Sequence, residues 1–171
     1  MKSLELLNQA SRDEAFTALL SCCGSTQWAS RMVDARPFAD GSLLEQTAER
    51  IWWELRPGDW LEAFACHPQI GERRAAPHQT AQSSQWSEAE QAGTHHAATE
   101  TLAALAEANR AYAERFSYLY IVCATGKSTE EMLALCRQRL QNDHETELHN
   151  AAEEQRRITT IRLRKLTGNS Q

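Results

Sequence analysis

Apolar residues recur every three or four positions along most of this chain, in blocks separated by Ser, Asp, Gly and Pro signals. Ser11-Arg12-Asp13-Glu14 has the form of a capping box, and Phe16, Leu19, Leu20 and Cys23 follow it on one face before Gly24 closes the block. Ser25 caps a short helix carrying Trp28, Ala29 and Met32, which Pro37 closes. Leu44, Ala48, Ile51, Trp52 and Leu55 line one side of a helix over residues 43–55. Arg56-Pro57-Gly58 then turns the chain into a helix that begins near Asp59 and ends at His67, because a residue before proline is pushed out of the helical region.

Residues 71–86 have no hydrophobic period and read as a long surface loop, either a lid or simply disordered. A helical pattern returns over about 87–115 through Leu102, Leu105, Ala106, Asn109 and Tyr112, with a kink expected at Gly93. Residues 116–124 make the only strand-like run, and a lone strand has nothing to pair with, so they read as a buried extended segment or an irregular helix. Ser128-Thr129-Glu130-Glu131 opens a helix through Leu133 and Leu140 that Asn142-Asp143 breaks, and a last helix runs over about 145–166. The sum is an all-α protein, a bundle of about seven to nine helices forming a single domain over 1–171, without internal repeats.

Composition supports that class. The 171 residues suit one domain able to bury a core, and 42% hydrophobic residues with only seven glycines and four prolines favour helices over a sandwich or barrel. A net charge of -5 speaks against a nucleic-acid partner or an anionic lipid surface. The opening Met1-Lys2-Ser3-Leu4-Glu5 lacks the apolar centre of a signal peptide, and no run approaches the roughly 20 apolar residues of a membrane span, so a cytoplasmic protein without a membrane partner is expected. Five cysteines, an odd count with Cys22 and Cys23 adjacent and no Cys-x-x-Cys pair, fit free thiols in a reducing compartment.

Three motifs fail as chemistry. Gly126-Lys127-Ser128 ends like a phosphate loop, but the first glycine that motif needs would fall at Ile121. His144 and His149 are five apart and point in different directions on a helix, and His95-His96 cannot present two ligands to one metal, so no metal site is expected. His67 is different: a titratable ring at a helix exit is either a structural cap or a catalyst. In the last helix Leu148, Ala151, Ala152, Ile158 and Leu166 share a stripe with Gln155 and Arg162, whereas Arg156, Arg157, Arg164 and Lys165 lie off it. An arginine among core positions needs an anionic partner, either an internal carboxylate or a substrate carboxylate or polarised carbonyl held by the planar guanidinium. Ser87 and Glu90 read as a capping box opening a helix, and with Gln91 they equally suit a small polar ligand.

In order, His67-Pro68, Ser87-x-x-Glu90-Gln91, Arg115-Phe116 leading into Tyr120-Ile121-Val122-Cys123-Ala124, and Ile161-Arg162-Leu163 resemble the 2-oxo-4-hydroxy-4-carboxy-5-ureidoimidazoline (OHCU) decarboxylases. The likeness runs from the Trp28 helix and Arg36-Pro37-Phe38 to Leu166, nearly the whole chain. It implies an all-helical, commonly homodimeric enzyme with no metal or organic cofactor, turning a small ureidoimidazoline into (S)-allantoin and carbon dioxide. It further implies that His67 is the catalytic acid/base, Glu90 the essential carboxylate and Arg162 the essential arginine. Pro68, Ser87 and Gln91 would line the substrate pocket, and the backbone of Tyr120, Ile121, Val122, Cys123 and Ala124 would meet the substrate ring. Glu90 would orient His67 or hold a hydroxyl or ureido group of the substrate. The competing expectations are a helical interaction module in which these residues are structural, and a cofactor-free lyase or hydrolase for another small polar metabolite.

Overall fold

A computed structural model of the chain describes residues 3–69, 80–90 and 99–168, the last three residues of the middle stretch by backbone alone. Nine α-helices and no strand occur among them: α1 (Leu4–Gln9), α2 (Arg12–Cys23), α3 (Thr26–Asp34), α4 (Gly41–Trp53), α5 (Pro57–Ala65), α6 (Ala81–Glu90), α7 (Thr99–Phe116), α8 (Thr129–Arg139) and α9 (His144–Thr167). Helix starts follow the capping residues. Ser11 and Ser128 each form a complete capping box, with Glu14 and Glu131 reaching back to the cap, and Ser25 caps α3. Such caps contribute about 1 kcal/mol each. Gly24 takes the left-handed conformation that ends α2.

The chain divides into two compact units, Met1–Ala63 with Arg156–Gln171, and Phe64–Gln155. In the first, α2 packs on α3 and α3 on α4, around the fully or nearly fully buried Leu19, Trp28, Met32, Leu44, Ile51 and Trp52. The Trp28 indole N–H donates to the Ala48 carbonyl (3.1 Å), which satisfies the one polar atom that its burial would otherwise strand. Arg36 ties down the end of α1 by donating to the carbonyls of Leu7 (2.7 Å) and Ala10 (2.8 Å). In the second unit α7 packs on α8, and their core joins Leu105, Tyr112, Phe116, Met132 and Cys136 with Tyr120 and Val122 of the segment between them.

Most sequence-predicted elements stand where periodicity put them, with four differences. Helix α1, capped by Ser3, is too short to show a period. Asp40 caps α4 and starts it at Gly41. Pro57 is the first residue of α5 rather than part of a preceding turn, since a first-turn proline gives up an N–H that needs no helical partner. The largest difference is α6, which occupies residues 81–86 of the expected loop. Thr80 caps it, accepting from the Ser83 N–H (3.1 Å), and its mostly polar sequence carries no apolar stripe to announce it. Ser87 therefore lies inside α6 and caps no helix; of the helix predicted over about 87–115, residues 87–90 fall in α6 and 99–115 in α7, and the stretch between them lies outside the described residues. The rest of the expected loop, and the kink expected at Gly93, fall outside the described residues.

No helix among the described residues is long and apolar enough to cross a membrane. All five cysteines are free thiols.

Candidate functional site

Helix α5 ends at Ala65, and the chain leaves it through Cys66 and His67, whose N–H still reaches back to the Phe64 carbonyl (3.1 Å). Pro68 then prevents the helix from continuing, as its position predicts. The His67 side chain is buried, 9% exposed, and its Nε2 lies 2.7 Å from Oε1 of Gln155, itself fully buried on α9. An amide oxygen only accepts, so Nε2 carries the proton and Nδ1 is the nitrogen whose protonation can change. Gln155 thus holds the ring in one tautomer; orienting His67 is one of the two roles expected of Glu90, whose side chain lies outside the described residues. Gln155 stands on the predicted apolar stripe, but helical periodicity cannot show what it meets 88 positions away.

Of the other sequence-predicted site residues in this unit, Pro68 is half-buried and Ser87 is buried on α6. Glu90 closes that helix, and Gln91 lies outside the described residues.

Segment 118–124 forms neither helix nor turn, and its five residues from Tyr120 to Ala124 are all buried. Such a stretch must satisfy its backbone groups without a ladder. Arg139 donates to the Ile121 carbonyl (2.7 Å), Glu154 accepts from the Cys123 N–H (2.7 Å), and the Lys127 ammonium donates to the Cys123 carbonyl (2.7 Å). The Lys127 N–H closes a turn onto the Ala124 carbonyl (3.0 Å), with Gly126 at the left-handed position that turn requires. Gly126-Lys127-Ser128, the apparent phosphate-loop ending, is thus a turn, a clamp and a helix cap. Val122, between the clamped residues, makes no hydrogen bond through its N–H or C=O among the described residues. In an extended chain alternate residues face the same edge, so the clamped Ile121 and Cys123 leave Val122 facing the opposite one.

Behind the segment lies a buried charge network. Arg139 pairs with the fully buried Glu147 (2.6 Å), which also accepts from the Tyr112 hydroxyl and from Asn142 (2.8 Å). The Arg139 guanidinium stacks over the Tyr120 ring, 5.0 Å from its centroid. Burial pushes the Tyr112 and Tyr120 phenols up, so both stay protonated donors, and it raises the Cys136 thiol to about 11. Burial alone would lower the Arg139 value, but its hydrogen bond to Glu147 and the neighbouring charges raise it.

Arg162 belongs to the other unit. It is 3% exposed on the predicted stripe of α9, with Ile158 and Leu166 of that stripe also buried, as are the adjacent Thr159 and Leu163. Off that stripe, Arg164 makes a two-pronged pair with Glu45 (2.8 Å for each contact) and Arg156 approaches Glu49 (3.5 Å). Two of the four cations that periodicity placed off the stripe therefore meet carboxylates of α4. Among the described residues no group of three or more His, Cys, Asp or Glu side chains could hold a metal ion.

Comparison with known proteins gives a consistent set of relatives. A family described as OHCU decarboxylase matches residues 8–164. The uric acid degradation bifunctional protein TTL of Arabidopsis thaliana is 38% identical over 148 residues, covering 85% of this chain and 45% of that protein. The uric acid degradation bifunctional protein of Bacillus sp. (strain TB-90) is 25% identical over 169 residues, covering 97% of this chain and 32% of that protein. This chain thus spans less than half the length of either. A solved OHCU decarboxylase, crystallised in the presence of (S)-allantoin, superposes with a TM-score of 0.77 at 31% identity, covering 94% of this chain and 100% of that one. An (S)-allantoin synthase structure, at 17% identity and a TM-score of 0.68 over 94% of this chain and 52% of that one, shares the fold.

Proposed function

The chain belongs to the OHCU decarboxylase family, and from that premise we propose that it converts 2-oxo-4-hydroxy-4-carboxy-5-ureidoimidazoline to (S)-allantoin and carbon dioxide in urate breakdown. The observation that carries this reading is the likeness, over the full length of the partner, to an OHCU decarboxylase solved in the presence of (S)-allantoin. The protein works in the cytoplasm, as a homodimer, with a small-molecule substrate and no nucleic-acid or membrane partner.

The substrate carries its carboxylate on a hydroxylated ring carbon beside a carbon–nitrogen double bond. When the carbon–carbon bond to the carboxylate breaks, its electron pair flows into the ring, so the substrate is its own electron sink and no metal or organic cofactor is required. The enzyme orients and desolvates the carboxylate, then delivers one proton to one face of the planar carbon that results. His67 supplies that proton, with Gln155 holding its ring in one tautomer. Glu90 binds the hydroxyl or ureido group, with Ser87 and Gln91 as neighbouring polar contacts and Pro68 as wall. The backbone edge at Val122 offers a donor and an acceptor that match a ring amide. Arg162 holds the carboxylate or the charge that develops on a ring oxygen.

The test is to generate the substrate freshly from urate with urate oxidase and hydroxyisourate hydrolase and to follow the optical activity of the product. Rapid appearance of (S)-allantoin is expected, and racemic product at the spontaneous rate would refute the assignment. Two further outcomes follow. Arg162→Lys keeps the charge but loses the planar fork, so kcat/KM should fall by about ten- to hundredfold while the melting temperature stays near wild type. A large drop in melting temperature, with activity lost only in proportion to folded protein, would make Arg162 structural. Dialysis against EDTA should leave turnover unchanged, and a loss restored by one divalent ion would overturn the cofactor-free chemistry.

A further inference from the structure

We propose that Glu154 is a positioning residue that sets the register of segment 120–124 from behind and thereby aims the Val122 backbone groups at the substrate. The proposal rests on the decarboxylase reading above, because it assigns the segment's open edge to that substrate.

Among the described residues no strand lies beside the segment, so no ladder there fixes its register. Its position depends on the side chains that clamp alternate backbone groups, Arg139 on Ile121 and Lys127 and Glu154 on Cys123. These clamps differ in what they rest on. Lys127 follows four residues later in the same stretch of chain and moves with it. Arg139 reaches the segment from the last turn of α8. Glu154 reaches it from α9, and the next residue on that helix, Gln155, holds His67 Nε2. Two consecutive residues of one rigid helix therefore hold the proton donor and the substrate-facing backbone. A carboxylate accepting a backbone N–H is a charge-assisted bond, shorter and stronger than a neutral one, and its 2.7 Å length fits that class. The Cys123 N–H is the group that would drift if the carboxylate were removed, and Val122 would drift with it. Substrate would then meet a displaced edge although His67 itself was untouched.

The experiment compares Glu154→Ala and Glu154→Gln, using calorimetric titration with (S)-allantoin and steady-state turnover. Glu154→Ala should raise both the allantoin Kd and KM by about tenfold, the loss expected for one charge-assisted hydrogen bond. Glu154→Gln keeps a carbonyl oxygen for the Cys123 N–H and should recover most of that loss. A merely structural role would lower the folded fraction and hence Vmax, leaving KM and Kd unchanged. Wild-type KM and Kd in folded Glu154→Ala would overturn the proposal.

Should Glu154→Ala fail to fold, amide exchange in the wild-type protein decides. The Cys123 amide should be protected without ligand, and the Val122 amide should become protected only when (S)-allantoin is added. Free exchange at Cys123, or no change at Val122 on saturation, would also overturn it. Failure of the underlying reading looks different, since the wild-type protein itself would then neither bind (S)-allantoin nor turn over the fresh substrate.

Discussion

Replacement of His67 by asparagine is expected to leave a folded protein that makes (S)-allantoin no faster than the substrate decays by itself. The fold should survive because the N–H bond of His67 to the Phe64 carbonyl is made by the backbone, and asparagine is similar in size and still donates a hydrogen bond, although its amide stops short of the position from which Nε2 contacts Gln155 Oε1. What asparagine lacks is a group that gains and loses a proton near neutral pH. A positioned general acid typically contributes about a hundredfold to ten-thousandfold, and losing it brings the enzymatic rate toward the uncatalysed one. Product formed without a directed proton should drift toward racemic allantoin. Optical rotation is therefore the sharper measurement, since it reports the face of protonation even where rates are hard to separate. A well-folded His67→Asn protein giving (S)-allantoin near the wild-type rate would return His67 to the role of a helix-exit cap.

How far the site can be read from the sequence depends on whether a residue's role is local. The helix exit at His67 was legible because Pro68 dictates it, and the burial of Ala151, Ala152, Ile158, Arg162 and Leu166 was legible because 3.6-residue periodicity dictates a face. Residues 116–124 were legible as a stretch with nothing to pair with, read either as a buried extended segment or as an irregular helix; 120–124 prove buried and non-helical, whereas Phe116 closes α7 and Ser117 is exposed. Helix α6 was not, because Thr80 starts a helix whose mostly polar residues have no apolar period. The Gln155 contact was not, since a helix face gives a direction and never the identity of the distant group it meets. Glu147 is the instructive omission. It stands four residues before Ala151 on the same stripe as Arg162, so the argument that singles out a charge among core positions applies to it equally. Its partner Arg139, in the last turn of α8, looks in sequence like a cation at a helix C-terminus, where exposure to solvent is the ordinary outcome.

That buried pair makes the largest prediction for stability. Arg139→Met should destabilise the protein by about 3–5 kcal/mol, because it leaves the carboxylate of Glu147 buried without its counter-charge. Tyr112 and Asn142 would still donate to Glu147, but two neutral donors do not replace a guanidinium that contacts it at 2.6 Å. At roughly 2–4 °C per kcal/mol for a chain of this size, the melting temperature should fall by about 10 °C. The Ile121 carbonyl would lose its clamp in the same variant, so KM should rise in the fraction that remains folded. The cost of a broken pair differs from the worth of an intact one, and the double variant Arg139→Met/Glu147→Leu separates the two. With both charges gone, no buried ion is stranded, and much of the lost stability should return while the rise in KM persists. If Arg139→Met alone melts within about 2 °C of wild type, less than one kcal/mol at this chain length, the network is not the buried ionic anchor described here.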